Sequence, residues 1–160
     1  FVSFCDCFGL PVITLVDSEG FEVCGCEEKN PYSAEIGKLA SAYASAEVPL
    51  ITLVTGAAYG SVFSVLGSKS IGADIVFALE DAKISCLNAK SAKISADVSR
   101  EALEEKWNET VANPFEAAKA GEVDDIIEKG EIRERLASAV MMLSSKNAET
   151  PYRRHANMPL

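Results

Sequence analysis

A mixed or parallel α/β layer is predicted by two features of this 160-residue chain. Short runs rich in Val, Ile, Leu and Thr, at 12–17, 49–55 and 74–78, read as strands, the middle one buried on both faces. They alternate with stretches whose apolar residues recur at helical spacing, such as Ile36, Leu39, Ala40, Tyr43 and Ala46.

Taken in order, Phe1 to Phe8 reads as the end of a helix and Val12 to Asp17 as a strand. Ser18 to Pro31, with Gly20, Gly25 and Asn30, is irregular, and a loop of that length in a compact domain is more often functional than structural. A helix over 34–46 stops before Pro49, which opens the next strand. That strand breaks at Gly56 and passes through the small residues Ala57 and Ala58. After Gly60 a helix over 60–68 follows, with Val62, Phe63, Val65 and Leu66 apolar. Backbone amides exposed at such a strand-to-helix corner suit an anionic oxygen. Strands at Asp74 to Ala78 and around Lys83 to Leu87 complete a β, α, β, α, β, β succession. Val12 to Asp17, Leu50 to Val54 and Ile75 to Ala78 are expected as neighbours in one sheet.

The last third reads as helical. Ser99 is placed as an N-cap, Val98 and Leu103 as a hydrophobic staple, and Leu103, Trp107 and Val111 on one face. Asn113-Pro114 ends that helix, Phe115 to Ala120 forms a short one closed by Gly121, and Ile132, Leu136, Val140 and Leu143 mark a final apolar stripe. The basic cluster Tyr152-Arg153-Arg154-His155 reads as a solvated or packed tail.

Composition excludes more than it identifies. A 48% hydrophobic chain of this length buries the core of one domain, and 15 basic against 24 acidic residues give a net charge of −9. That charge repels nucleic-acid phosphates and anionic lipid. No run reaches the roughly 20 apolar residues of a membrane helix and no signal-like segment opens the chain, so a cytoplasmic setting without membrane insertion is expected. The start at Phe1, almost directly in an element, reads as a fragment. Cys5 and Cys7, and Cys24 and Cys26, form two C-x-C pairs among five cysteines. Zinc knuckles use wider spacing, so no metal site is expected, and Cys5 and Cys86 read as small hydrophobes. Glu27-Glu28 and Asp124-Asp125 read as solvated surface. The one histidine, His155, stands far from any nucleophile, and no P-loop or dinucleotide glycine motif occurs.

Particular strings are more specific. They are Phe4-Cys5-Asp6 with Phe8 and Pro11; Leu15-Val16-Asp17 with Gly20-Phe21; and Ala42-Tyr43-Ala44 with Ala46 and Val48-Pro49. Thr55, Ala58-Tyr59-Gly60 and Ser68-Lys69 follow. Asn113-Pro114-Phe115, Ala117-Ala118, Gly121, Val123 to Ile127 and His155 to Leu160 close the series. In this order they resemble the second half of the acyl-CoA carboxyltransferase subunits of biotin-dependent carboxylases and decarboxylases, of the propionyl-CoA carboxylase beta and methylmalonyl-CoA decarboxylase alpha type.

The resemblance implies a crotonase-like (ClpP/crotonase) spiral of β-β-α units with C-terminal helices. Residues 1–160 would be a carboxyltransferase C-terminal domain whose N-terminal half lies outside the chain. It implies carboxyl transfer between biotin, presented as carboxybiotin on a carrier protein, and an acyl-CoA of propionyl or methylmalonyl type. In that chemistry carboxybiotin releases CO2 and the biotin anion takes the α-proton, so the protein supplies amides more than side-chain bases. The family's turn following the strand matched by Ala82-Lys83-Ile84 falls on Leu87 to Ala92. Asn88 and Ala89 then form the backbone oxyanion site, and Ala58, Tyr59, Gly60 and Lys90 line the biotin side. Asn88, Ser91 and Ser61 stand where the family has glycine, and Gly56 and Ala57 where it has basic residues. The implied partners are the N-terminal half, the biotin carrier protein and further copies in a homo-oligomer. The alternative is a non-catalytic divergent half-domain acting in assembly of a carboxylase complex.

Overall fold

The computed structural model describes residues 1–21, 32–87 and 106–147. Helix α1 (Val2–Cys7) precedes β1 (Val12–Ser18), α2 (Tyr32–Ser45) precedes β2 (Leu50–Tyr59), and α3 (Ser61–Val65) with a 3-10 turn (Lys69–Ile71) precedes β3 (Ile75–Leu79). Then come β4 (Lys83–Ser85), the helical residues 106–110 (α4), α5 (Pro114–Lys119), β5 (Asp125–Ile127) and α6 (Ile132–Leu143). Among the described residues five strands form one sheet in the order β1-β2-β3-β5, with β4 beside the end of β2, and every pairing is parallel. The three neighbouring strands expected from the apolar runs are therefore present. The Ser99 cap, the 98–103 staple, Cys24, Cys26 and the 152–155 cluster lie outside the described residues.

Two threonines show which face the crossover helices cover. Thr14 and Thr52 stand side by side on β1 and β2. The Thr14 hydroxyl is 2.9 Å from the Tyr43 hydroxyl on α2, and Thr52 Oγ1 donates to the Gly67 carbonyl at 2.6 Å. Gly67 has φ +68°, and a Cβ there would lie 2.5 Å from Thr52 Oγ1. This left-handed residue ends α3 near Val65, so the helix is shorter than the 60–68 expected from its apolar spacing. Ile51 and Leu53 point to the opposite face and are fully buried. Helix α6 also contacts β2, and its Ile132, Leu136, Val140 and Leu143 pack onto the core containing those residues. The amphipathic stripe read from the sequence is thus the packed face of α6.

At the amino ends of the strands, aspartates complete the hydrogen-bond ladder. The Asp74 amide donates to the Leu50 carbonyl at 2.9 Å, while its Oδ2 accepts from the Leu50 amide at 2.8 Å. Asp124 repeats the arrangement one strand along: its amide donates to the Val76 carbonyl at 2.8 Å and its Oδ2 accepts from the Val76 amide at 2.7 Å. Each carboxylate has a lysine, Lys146 on Asp74 and Lys69 on Asp124, both at 2.8 Å. Asp6 on α1 accepts from the Glu47 and Val48 amides at 2.7 and 3.2 Å.

Asp124 is therefore not plain solvated surface, and the strand that it introduces, β5, was not anticipated from the sequence. Its three residues are too few to show a period. Asn113 ends one helix and caps the next, accepting from the Phe115 amide at 2.8 Å with Pro114 in the first turn. Cys5 is buried as expected, whereas Cys86 is exposed: it follows β4, where the chain turns off the sheet. Among the described residues no helix is long and apolar enough to cross a membrane.

Asp124→Ala is expected to lower stability by about 1–3 kcal/mol, because it removes the acceptor of the part-buried Val76 amide. Asp125→Ala, whose carboxylate meets Arg135 at 3.5 Å on a half-exposed surface, should cost less than about 1 kcal/mol. Urea denaturation of the two variants checks the contrast.

Candidate functional site

Strand β2 does not break at Gly56. β1 and β2 stay in register from Val12↔Leu50 to Val16↔Val54, and pairing resumes at Ser18↔Ala58, leaving Thr55, Gly56 and Ala57 opposite Asp17 alone. The surplus forms a bulge. Asp17 fills it: its Oδ1 accepts from the Ala57 amide at 2.9 Å, and Thr55 Oγ1 donates to the Val16 carbonyl at 3.2 Å. A Cβ on Gly56 would lie 2.2 Å from Asp17 Oδ1, so the glycine is what admits the carboxylate. The small residues read from the sequence stand here, whereas Asp17, read only as a strand end and part of a family string, fills the bulge. The available signal was an aspartate at a strand end, opposite a glycine in the next strand.

Beyond the bulge, Ala57, Ala58 and Tyr59 pair with Lys83, Ile84 and Ser85 of β4. Gly60 then turns the chain into α3 with φ +58° and ψ −129°, a conformation suited to glycine, and its amide donates to the Ser85 carbonyl at 2.9 Å. A Cβ at Gly60 would sit 3.3 Å from the Cys86 carbonyl. The Ala57 and Gly60 amides, expected to be exposed at this corner, are thus already engaged. What remains toward solvent is the first turn of α3 at exposed Ser61, where helix N–H groups lack intrahelical partners.

Ala58 is fully buried and Tyr59 is 9% exposed. Burial, followed by the charge of Glu19, pushes the Tyr59 phenol above its ordinary value, so it stays neutral.

The segment after β4 is pinned. Ser85 Oγ donates to the Leu87 carbonyl at 2.8 Å, and Trp107 Nε1 donates to the same carbonyl at 3.2 Å. Asn88, Ala89, Lys90 and Ser91 lie outside the described residues. The structure therefore brings Ala58, Tyr59 and Gly60 together with Ser85 to Leu87 at the carboxyl ends of the strands, where open α/β sheets bind ligands. Lys69, of the Ser68-Lys69 string, lies elsewhere, at the amino end with Asp124.

A groove at the ends of β3 and β5 is lined by Glu80, Asp81, Glu128 and Lys129. Lys129 donates to Asp81 at 2.6 Å and holds that carboxyl below its ordinary value, with desolvation opposing. Three carboxylates against one ammonium suit an anionic ligand poorly. Among the described residues no cluster of His, Cys, Asp and Glu could hold a metal.

Gly56→Ala is expected to cost about 1–3 kcal/mol by overpacking against Asp17. The cost should shrink in an Asp17→Ala background, and equal costs in both backgrounds, read by chemical denaturation, would place the clash elsewhere. Tyr59 should ionise above 10.0, and Glu19→Gln should bring its midpoint down. Alkaline ultraviolet titration, taken as the difference from Tyr59→Phe, reads that shift.

Residues 1–158 match the family model described as the carboxyl transferase domain. The carboxyltransferase subunit of propionyl-CoA carboxylase from Haloferax mediterranei is 38% identical over 171 residues, covering 100% of this chain and 33% of the relative. The mitochondrial propionyl-CoA carboxylase beta chain of Homo sapiens is 39% identical over 163 residues, covering 100% and 30%. The methylmalonyl-CoA decarboxylase subunit alpha of Propionigenium modestum is 36% identical over 172 residues, covering 100% and 33%. The chain thus spans about a third of the length of these relatives.

Transcarboxylase 12S, a hexamer solved with methylmalonyl-CoA and methylmalonic acid bound, superposes with a TM-score of 0.91 at 33% identity, over 100% of this chain and 32% of its own. The beta subunit of geranyl-CoA carboxylase from P. aeruginosa, 17% identical with a TM-score of 0.74 over 95% and 32%, shares the fold. The architecture is accordingly the crotonase-like one of carboxyltransferases. By sequence along nearly its whole length and by fold, this chain belongs to the carboxyl transferase domain family.

Proposed function

We propose that this chain is the C-terminal domain of a biotin-dependent acyl-CoA carboxyltransferase and forms the biotin-side half of its site. One observation carries the reading. Two strings resembling that family, Thr55 to Gly60 and Ala82 to Ile84, are far apart in sequence but lie on paired strands, with Ala58↔Ile84 and Tyr59↔Ser85 in register. Residues 88–91, which lie outside the described residues, come shortly after that strand in sequence.

The groups at the corner fit a neutral ureido ring: Gly60 brings the main chain close without a side chain, and Tyr59 is a buried, neutral phenol. Biotin would supply the carboxyl group and the base. Tyr59, Gly60 and Lys90 would orient it, and the amides of Asn88 and Ala89 would stabilise a developing oxyanion. The acyl-CoA is of propionyl or methylmalonyl type, by likeness to relatives that carry those names. The partners are the N-terminal carboxyltransferase half, a biotin carrier protein and further copies of the chain, in a cytoplasmic setting.

Asn88 and Ser91, standing where the family has glycine, favour the second reading, a non-catalytic half-domain used in assembly. Serine tolerates left-handed turn geometry poorly. Carboxyl transfer from free carboxybiotin to propionyl-CoA separates the two. The chain alone should show no useful rate, since a single oxyanion donor is worth about 100-fold to 1000-fold. Adding the N-terminal half together with Asn88→Gly and Ser91→Gly should restore transfer. Full activity of the unmodified chain alone overturns the half-site reading, and no recovery in the reconstituted variant selects the assembly role.

A further inference from the structure

Among the described residues β4 pairs only with β2, and only as far as Ser85. The chain just beyond it nevertheless forms one wall of the corner at Gly60. The Gly60 amide donates to the Ser85 carbonyl at 2.9 Å, and the Cys86 carbonyl stands 3.3 Å from where a Cβ on Gly60 would be. Cys86 and Leu87 are both exposed, so burial does not hold this wall in place.

Two side chains meet at the Leu87 carbonyl, Ser85 Oγ at 2.8 Å and Trp107 Nε1 at 3.2 Å. A carbonyl oxygen has two lone pairs and takes both donors. The donors differ in what they can fix. Ser85 lies two residues back and its hydroxyl is also 3.3 Å from the Leu87 amide, which makes a local turn that travels with the segment. Trp107 lies 20 positions on, in α4, and ties the segment to a different element.

Trp107 is itself anchored. Its carbonyl accepts from the Val111 and Ala112 amides at 2.8 and 2.9 Å, and Ala112 is buried. Asn113 carries the connection into α5: its Nδ2 donates to the Glu109 carbonyl at 3.2 Å while its Oδ1 caps the Phe115 amide. Ala117 and Ala118 of α5 pack against the core. The indole N–H is thus referred to the core through α4 and α5, and binding groups keep their geometry only when such supporting partners lock them.

We propose that Trp107 is a positioning residue for the biotin-side corner. Acting through the Leu87 carbonyl, its indole N–H holds the 85–87 wall against Gly60 and sets the opening that biotin enters. The inference rests on the biotin-side reading above. It assigns Trp107 no contact with biotin, and it separates the N–H of this residue from the packing of its ring.

The isotope-labelled chain titrated with free biotin, followed by NMR at the Gly60 and Ser61 amides, tests it. Trp107→Phe keeps a ring and removes the donor. It should weaken biotin about 3-fold to 10-fold, the worth of one such hydrogen bond, and speed exchange of the Gly60 amide. Trp107→Ala should weaken biotin no further, although it lowers stability to urea more. A role in packing alone gives the opposite pattern, with Trp107→Phe like the unmodified chain and only Trp107→Ala impaired, and overturns the proposal. Ser85→Ala, which leaves the tie to α4 in place, should cost less affinity than Trp107→Phe, and a larger cost places the hold in the local turn instead and also overturns it. The chain has one tryptophan, so its indole cross-peak supplies a measurement that needs no variant. It should move with the same biotin midpoint as the Gly60 amide, and an indole that ignores biotin while Gly60 responds counts against the proposal and leaves the biotin-side reading standing. Gly60 and Ser61 amides that both ignore biotin overturn that reading, and the positioning role falls with it.

Discussion

In a parallel sheet the backbone groups at the amino ends of the strands need partners, and the arrangement that supplies them here fixes the rest of the molecule. Asp74 and Asp124 each use main chain and side chain together, so one residue closes both sides of the rung at Leu50 or Val76. A carboxylate in that position would be costly without compensation. Lys146 and Lys69 provide it. Lys146 follows α6, so the same contact that balances Asp74 also ties the C-terminal helix to the sheet. Its Nζ also reaches the Val48 carbonyl at 3.0 Å.

The carboxyl ends are organised by a different device. Strand β2 must serve β1 and β4 at once, and the bulge at Asp17 and Gly56 resets its register between Val54 and Ala58. Without that reset, Tyr59 and Gly60 would not stand beside Ser85. At the corner the Ala57 amide is held by Asp17 and the Gly60 amide by Ser85. Those two amides are therefore not free to face a ligand.

Much of this was legible in advance. Continuous apolar runs at 12–17, 50–54 and 75–78 are what buried parallel strands look like, and the stripe on α6 is the face that packs. The family strings named both segments, and the structure shows that the strands carrying them, β2 and β4, are paired. Legibility failed where the deciding partner was remote. Asp124 looks like half of an acidic surface pair until Val76 is placed beside it, 48 residues away in sequence. Gly56 looks like a strand break until Asp17, 39 positions earlier in the numbering, occupies the space that its missing Cβ leaves.

By itself the sequence determined the class of the fold, the order of its main elements and membership of the carboxyl transferase domain family. These depend on local periodicity and on residue strings that each element carries within itself. Tertiary structure decided which residues close the rungs, how far β2 extends, which amides at the corner are spent, and that Ile13 and Leu15 of β1 are exposed. The physical reason is that hydrogen bonds and packing between strands join residues tens of positions apart. No window of sequence contains both partners, so their consequences exist only once the strands lie side by side.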